Sequence, residues 1–263
     1  MPAGPQFRLA ARLAARLAEA RRAGVPFAPG PDLELDSLAA AYEAQAEVAR
    51  LLGARPAGWK VGFAPKEIEG GPPWAAPILD CDLREDGGVH RMAPGGLVKI
   101  EAELGIVFAR DLVPQGRPLT RADVVDSLAE AFVGIELIIS RFVDPARAGF
   151  ATRVADSFSN GAYAIGARLR DFRALDLSQL PCKLVVGGKV CNERVGGHAD
   201  GDPLIPVVAW ANAQVDRLGG LRAGQFLSTG TLNEPVVVQA PLDGPVLIEA
   251  SLGGIGQARL TLA

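Results

Sequence analysis

One glutamate interrupts an otherwise apolar run. From Ala131 to Ile139 the chain reads Ala-Phe-Val-Gly-Ile-Glu-Leu-Ile-Ile, and every side chain except that of Glu136 is apolar or absent. A run of this kind predicts a buried strand over 132–139. A carboxylate inside it must be paired, protonated or metal-bound, because burying an uncompensated charge is costly. Arg141 is the obvious partner for a purely structural ion pair.

A second carboxylate feature bears on the choice. From Val98 the apolar residues Ile100, Leu104, Ile106 and Phe108 alternate with polar ones, which is the period of a strand. Glu101 and Glu103 are two apart, so they project from one face of that strand. A solvated strand face is the ordinary reading of such a pair. Two like charges that close repel, however, unless a cation lies between them. With Glu136 on another strand, the three would form an all-oxygen site suited to Mg2+ or Mn2+. Lys60, flanked by Trp59 and Val61, is either a core-edge lysine that extends its amine to water or a cation that holds a substrate oxygen. His90 and His198 are the only histidines, and neither has zinc-ligand spacing. Both read as surface or structural residues.

The bulk numbers exclude several classes. With 263 residues, 49% of them apolar and 22% charged, the chain can build a sizeable core and is not disordered. A net charge of −3 leaves no basic footprint for nucleic acid. No stretch approaches the roughly 18 to 20 apolar residues of a membrane span. Cys81, Cys182 and Cys191 form no CxxC pair. If Gly187-Gly188 is a two-residue turn, Cys191 falls opposite Leu184 and not Cys182, so all three read as reduced thiols of a cytoplasmic protein. The dinucleotide-binding, phosphate-loop and GxSxG signatures are missing.

The N-terminal segment Phe7 to Arg22 faintly has the Ala/Arg composition of a transit peptide. Leu9, Leu13 and Leu17 at four-residue spacing favour an amphipathic helix instead, stopped by Gly24 and Pro26. A second helix is expected over 38–52, capped by Asp36 or Ser37 and closed by Gly53. A short strand should cover 58–63, followed by a Gly/Pro-rich loop over 64–77 of the kind that covers sites. Thr120, with Asp123, should cap a helix over 121–131. Asp202-Pro203 should start another, with Leu204, Val207, Val208, Ala211, Val215 and Leu218 on one face and Gly219-Gly220 at its end. Strands separated by Gly and Pro fill the tail. Early helices and late strands make the class α+β.

Five motifs in register carry a resemblance. They are Gly58-Trp-Lys-Val-Gly62, Lys99-Ile-Glu-Ala-Glu-Leu104, Gly134-Ile-Glu-Leu-Ile-Ile-Ser-Arg141, Ala155-Asp-Ser-Phe-Ser159 and Leu221-Arg-Ala-Gly-Gln-Phe-Leu-Ser-Thr-Gly230. Across nearly its whole length the chain resembles the 2-keto-4-pentenoate hydratase and 4-oxalocrotonate decarboxylase family of the fumarylacetoacetate hydrolase superfamily. The resemblance implies a small N-terminal helical part (1–60) and a C-terminal β-rich catalytic domain (61–263) with a mixed, rolled sheet. It implies Mg2+ or Mn2+ on Glu101, Glu103 and Glu136, with Lys60, Asp82 and Ser159 as active-site residues. It also implies a homo-oligomer, a pentamer or decamer, working in aromatic compound catabolism. The chain departs from the family pattern at Phe63-Ala-Pro-Lys66, at Leu83 in place of Met, at Ser157 in place of Asn and at Leu232-Asn-Glu-Pro235.

The expected reaction is hydration of a short 2-hydroxydienoate, a 2-oxo-4-pentenoate-like acid, by way of an enolate stabilised by the metal. Decarboxylation of a 4-oxalocrotonate-type oxo acid at the same site is the alternative. A C–C hydrolase is disfavoured, because that branch relies on a Glu–His pair and no histidine here neighbours a candidate glutamate. A partner-binding protein that merely keeps the fold is the non-catalytic reading.

Overall fold

The computed structural model describes residues 5–68, 70–214 and 216–263. Helices α1 (Pro5–Ala23) and α2 (Leu38–Leu52) pack on one another. The face of α1 carrying Leu13 and Leu17 is buried, while Arg12 and Arg16 stay outside. The segment is therefore an amphipathic helix of the fold itself. Ser37 caps α2 by accepting from the Ala40 amide, and Gly53 closes it at φ +66°, a conformation that favours glycine.

The strands follow in chain order: β1 (Pro56–Phe63), β2 (Pro73–Leu79), β3 (Leu83–Arg84), β4 (Gly88–His90) and β5 (Leu97–Phe108). Helix α3 (Arg121–Ser127) leads into β6 (Leu128–Ile138), and α4 (Phe150–Ala155) precedes β7 (Asn160–Leu169). The hairpin β8 (Pro181–Val186) and β9 (Lys189–Val195), helix α5 (Ile205–Ala213), β10 (Phe226–Thr231), β11 (Val236–Gln239), β12 (Val246–Leu252) and β13 (Gly256–Leu262) complete the chain. Eight strands form a mixed sheet in the order β2-β1-β10-β5-β6-β7-β3, with β11 also on β5. The β1–β10 and β3–β7 pairs are parallel. A five-stranded sheet, β4-β13-β12-β8-β9, lies beside it. No helix among the described residues is long and apolar enough to cross a membrane.

Alternation along β5 and β6 divides the core in two. Ile100, Leu104, Val133, Ile135 and Leu137 face outward into the main core, against Leu184, Ile248 and Leu260 of the second sheet and Trp210 of α5. The other face carries the glutamates, with Ile78, Phe132, Tyr163 and Phe226 clustered beside them. Two glycines make that aromatic cluster possible. A Cβ on Gly105 would sit 2.0 Å from the Phe132 ring, and one on Gly134 would sit 2.1 Å from the Tyr163 hydroxyl.

Several boundaries differ from the sequence expectation. The helix begun by the Thr120–Asp123 capping box ends at Ser127 instead of reaching Ala131, because Leu128 onward pairs with β5. The last part of the expected Pro/Gly loop is not a loop, since 73–79 forms β2. This is an edge strand, where Pro73 and Pro77 cost the ladder little. Helix α5 starts at Ile205 with Pro206 in its first turn, and closes at Gln214 in a left-handed conformation, not at Gly219-Gly220. Val215, expected on that helix face, lies outside the described residues. In the hairpin a bulge pairs Leu184 with Asn192 and Val185 with Val190, so Cys191 has no partner opposite it. Cys182 is buried and Cys191 exposed, and all three thiols are free.

Candidate metal centre and active-site cavity

The register of β5 against β6 sets Glu101 directly across from Glu136, and Glu103 across from Gly134. All three carboxylates therefore lie on one face of the sheet. One oxygen from each falls within a 4.8 Å cluster. Arg141 is not the counter-charge of Glu136, since its guanidinium is committed to Asp156. The partner is Lys60, whose ammonium donates to Glu136 Oε1 at 2.7 Å and Oε2 at 3.0 Å. Asn160 Nδ2 also donates to Glu136 Oε1, at 2.8 Å. The Ser228 hydroxyl donates to Glu103.

One ammonium cannot balance three carboxylates, of which Glu103 and Glu136 are buried and Glu101 half-buried. Burial, with the Glu136 charge added, raises Glu101 to about 7, although Lys60 and Lys99 pull the other way. Burial and both neighbouring glutamates hold Glu103 well above the ordinary carboxylate range. Burial opposes the charge on Lys60, but Glu136, Glu101 and Glu103 outweigh it and its pKa is raised. The cluster thus keeps protons unless more positive charge arrives. An all-oxygen donor set with excess negative charge fits a hard divalent cation.

A single cavity of about 1330 Å³ is lined by all six residues singled out in the sequence: Lys60, Asp82, Glu101, Glu103, Glu136 and Ser159. Asp82 ends the turn after β2 and is buried, paired with Arg21 at 2.9 Å. Ser159 ends a turn in which Ser157, Phe158 and Ser159 all have positive φ, at 49°, 48° and 65°. Such a run is strained for residues with a side chain. Arg141 clamps both of its ends, with bonds to the Asp156 side chain, the Asp156 carbonyl and the Asn160 carbonyl. Burial lowers Arg141 to about 10 and raises Asp156, and their mutual attraction opposes both shifts.

Sequence reasoning did not single out Arg21, Asn160 and Ser228. Arg21, near the end of α1, reaches both Asp82 and the Asn160 carbonyl. Of the histidines, His198 Nε2 sits 2.6 Å from the Thr229 carbonyl while Nδ1 accepts from the Asp200 amide, so it braces a loop. His90 lines the cavity, and burial, reinforced by Arg84, lowers it to about 4.

No family model matches the chain. Individual relatives do. A 2-keto-4-pentenoate hydratase of Burkholderia vietnamiensis is 31% identical over 265 residues, covering 95% of this chain and 96% of that protein. The 4-oxalocrotonate decarboxylase from Pseudomonas putida G7, complexed with magnesium and adipate, superposes with a TM-score of 0.82 over 97% of both chains at 24% identity. The same decarboxylase complexed with calcium and acetate gives 0.81 at 25% identity, over 97% of this chain and 98% of that one. The rolled sheet, the helical N-terminus and the full-length similarity lead to one conclusion: the chain belongs to the 2-keto-4-pentenoate hydratase family and is an enzyme of the lyase class.

Proposed function

We propose that the enzyme adds water to a short 2-hydroxydienoate to give a 4-hydroxy-2-oxo acid. The observation that carries this reading is the convergence of Glu101, Glu103, Glu136 and Lys60 at one cavity that also holds Asp82 and Ser159. The similarity to curated hydratases over nearly the full chain supports it. Glu101, Glu103 and Glu136 would hold Mg2+ or Mn2+, which supplies Lewis-acid polarisation of the substrate's 1-carboxylate and 2-oxo oxygens.

Lys60 keeps its proton and adds a second positive charge beside those oxygens, where charge develops as the dienol loses its hydroxyl proton. Asp82 is the general acid and base for the distal carbons, with Arg21 fixing its carboxylate. It takes up the proton that the dienol hydroxyl loses and delivers it to C5. Water then adds through its oxygen at C4, passing one proton by way of Asp82 to C3 and keeping the other in the new C4 hydroxyl. Ser159, held by the clamped turn, orients that water. The enzyme works as a homo-oligomer, a pentamer or decamer, in the cytoplasm.

Decarboxylation at the same residues is the second reading, favoured by the full-length superposition on a decarboxylase. The test is an assay of 2-hydroxydienoates for loss of diene absorbance, and of oxalocrotonate-like diacids for CO2 release, with Mg2+ and with a chelator. Water addition that needs metal supports the proposal. CO2 release without hydration selects the second reading. No turnover of any compound leaves a non-catalytic protein.

A further inference from the structure

The cavity holds more arginines than the proposed chemistry uses. Arg21 and Arg141 are committed to Asp82 and Asp156. Arg22 and Arg84 bond backbone carbonyls, and Arg91 stands exposed. Arg153 is different. Its guanidinium lies 5.4 Å from the centre of the Phe158 ring and 5.8 Å from that of Phe150. Phe158 is in turn stacked on Trp74, at 4.5 Å and 16°. Among the described residues no carboxylate pairs with Arg153, and its Nε is buried without a hydrogen-bond partner. Arg153, Phe158 and Trp74 all line the cavity that contains the glutamates.

Stacking on rings holds a guanidinium in place and keeps water off its faces, while its N–H edge stays free. A buried donor left unpaired is unfavourable, so the site gains from a ligand that accepts from it. The natural acceptor for a guanidinium edge is a carboxylate, bound through paired charge-assisted hydrogen bonds. Phe158 also fixes the relation to the reacting end, because its carbonyl lies 3.5 Å from the Lys60 ammonium while its ring carries Arg153. One residue thus joins the end that takes the 1-carboxylate to the end that carries a free guanidinium.

We propose that Arg153 selects a second, distal carboxylate, so that the enzyme prefers 2-oxo diacids to monoacids of the same length. The inference rests on the reading of this cavity as a 2-oxo acid site, and a diacid suits either hydration or decarboxylation there.

The test is direct binding, by calorimetry in saturating Mg2+, of 2-oxoadipate and 2-oxohexanoate. These share the metal-facing end and differ only in the distal carboxylate. The wild type should prefer the diacid by roughly tenfold or more, the range of a charge-assisted hydrogen bond. Arg153→Gln should remove that preference and leave the monoacid affinity unchanged, which also shows that the variant is folded. Arg153→Lys should keep part of the preference. Arg91→Gln, on the same cavity but exposed, should keep all of it. Equal binding of the two acids by the wild type, or an Arg153→Gln protein that still prefers the diacid, overturns the proposal. So does an equal loss in Arg91→Gln, which would mean general attraction to a basic cavity. If neither acid binds the wild type, the 2-oxo acid reading itself falls, and this inference with it.

Discussion

Lys60 on β1 touches Glu136 on β6 at 2.7 Å although β10 and β5 lie between their strands in the sheet. Neighbouring strands are spaced about 4.7 to 4.9 Å apart, so three such steps exceed what the two side chains span on a flat sheet. Curling of the sheet closes the gap. The roll thus brings the ammonium to the carboxylates and makes the fold and the site a single construction.

Replacing Lys60 with Met separates its two roles. The buried Glu136 loses its ammonium, and breaking a buried pair from one side costs about 3 to 5 kcal/mol, less where the carboxylate takes up a proton instead. The metal-free variant should therefore melt lower than the wild type. Saturating Mg2+ should recover much of that difference, since a cation again faces Glu136. Turnover should stay depressed by roughly a hundredfold or more with metal present, the scale of lost charge stabilisation at a reacting oxygen. Calorimetry and steady-state kinetics on the same preparation check both. Unchanged kinetics would leave Lys60 as a structural counter-ion.

The metal-free protein should lose stability as pH rises. Glu101 titrates near about 7 when folded, and an unfolded glutamate titrates near about 4.3. Between those values the folded state binds more protons than the unfolded state, so unfolding free energy falls with increasing pH. Glu103, raised as well, acts in the same direction. A divalent cation that needs ionised carboxylates reverses the slope. Melting temperatures in chelator should decline from about pH 4.5 to about pH 7, and those in saturating Mg2+ should rise over the same window. Parallel curves would mean that the cluster is not a metal site.

Local physics made part of this site legible in the sequence. Glu136 stood out because a carboxylate in an apolar strand carries a cost that something must offset. Glu101 and Glu103 followed from the period of a strand, which alone fixes a shared face. The Lys60–Glu136 pair was hidden, because it depends on the roll and on strand order, neither of which is local. Strand β7 went unnoticed because Asn160-Gly-Ala-Tyr-Ala-Ile-Gly-Ala is poor in the β-branched residues that mark strands. Its glycines and alanines answer instead to close packing, as at Gly166, where a Cβ would meet Ala258 at 2.5 Å. Helix α3 was read too long because Leu128 and Ala131 suit a helix, and only pairing with β5 ends it.

Asp156 should matter far more than its distance in sequence from the glutamates suggests. It and Arg141 are both buried, and together they hold the three positive-φ residues that present Ser159. Asp156→Ala strands a buried guanidinium and should cost about 3 to 5 kcal/mol. Arg141→Lys keeps the charge but loses the fork that reaches Asp156 and both carbonyls, so it should also fail to restore activity. Urea midpoints and turnover measured together test the clamp. A loss below about 1 kcal/mol, in the range of an exposed pair, would show that the turn is held by other contacts.

The sharpest expectation concerns the cation itself. Three carboxylates gathered with one ammonium leave the metal-free cluster under-neutralised, and a ligand that binds only the native state stabilises it by RT ln(1 + [L]/Kd). At a hundredfold excess over Kd that is about 2.7 kcal/mol, enough to move a melting temperature of a chain this long by a few degrees. Mg2+ or Mn2+ should therefore raise the melting temperature, and Glu136→Gln, which keeps the size but removes a charged ligand, should abolish most of the rise. Oxalate, a planar mimic of the enolate form of a 2-oxo acid, should add a further rise only when metal is present. Glu47→Gln, in an exposed i,i+3 pair on α2, serves as the control and should respond to both like the wild type. If the melting curve ignores metal and oxalate alike, the glutamates are structural and the proposed chemistry loses its centre.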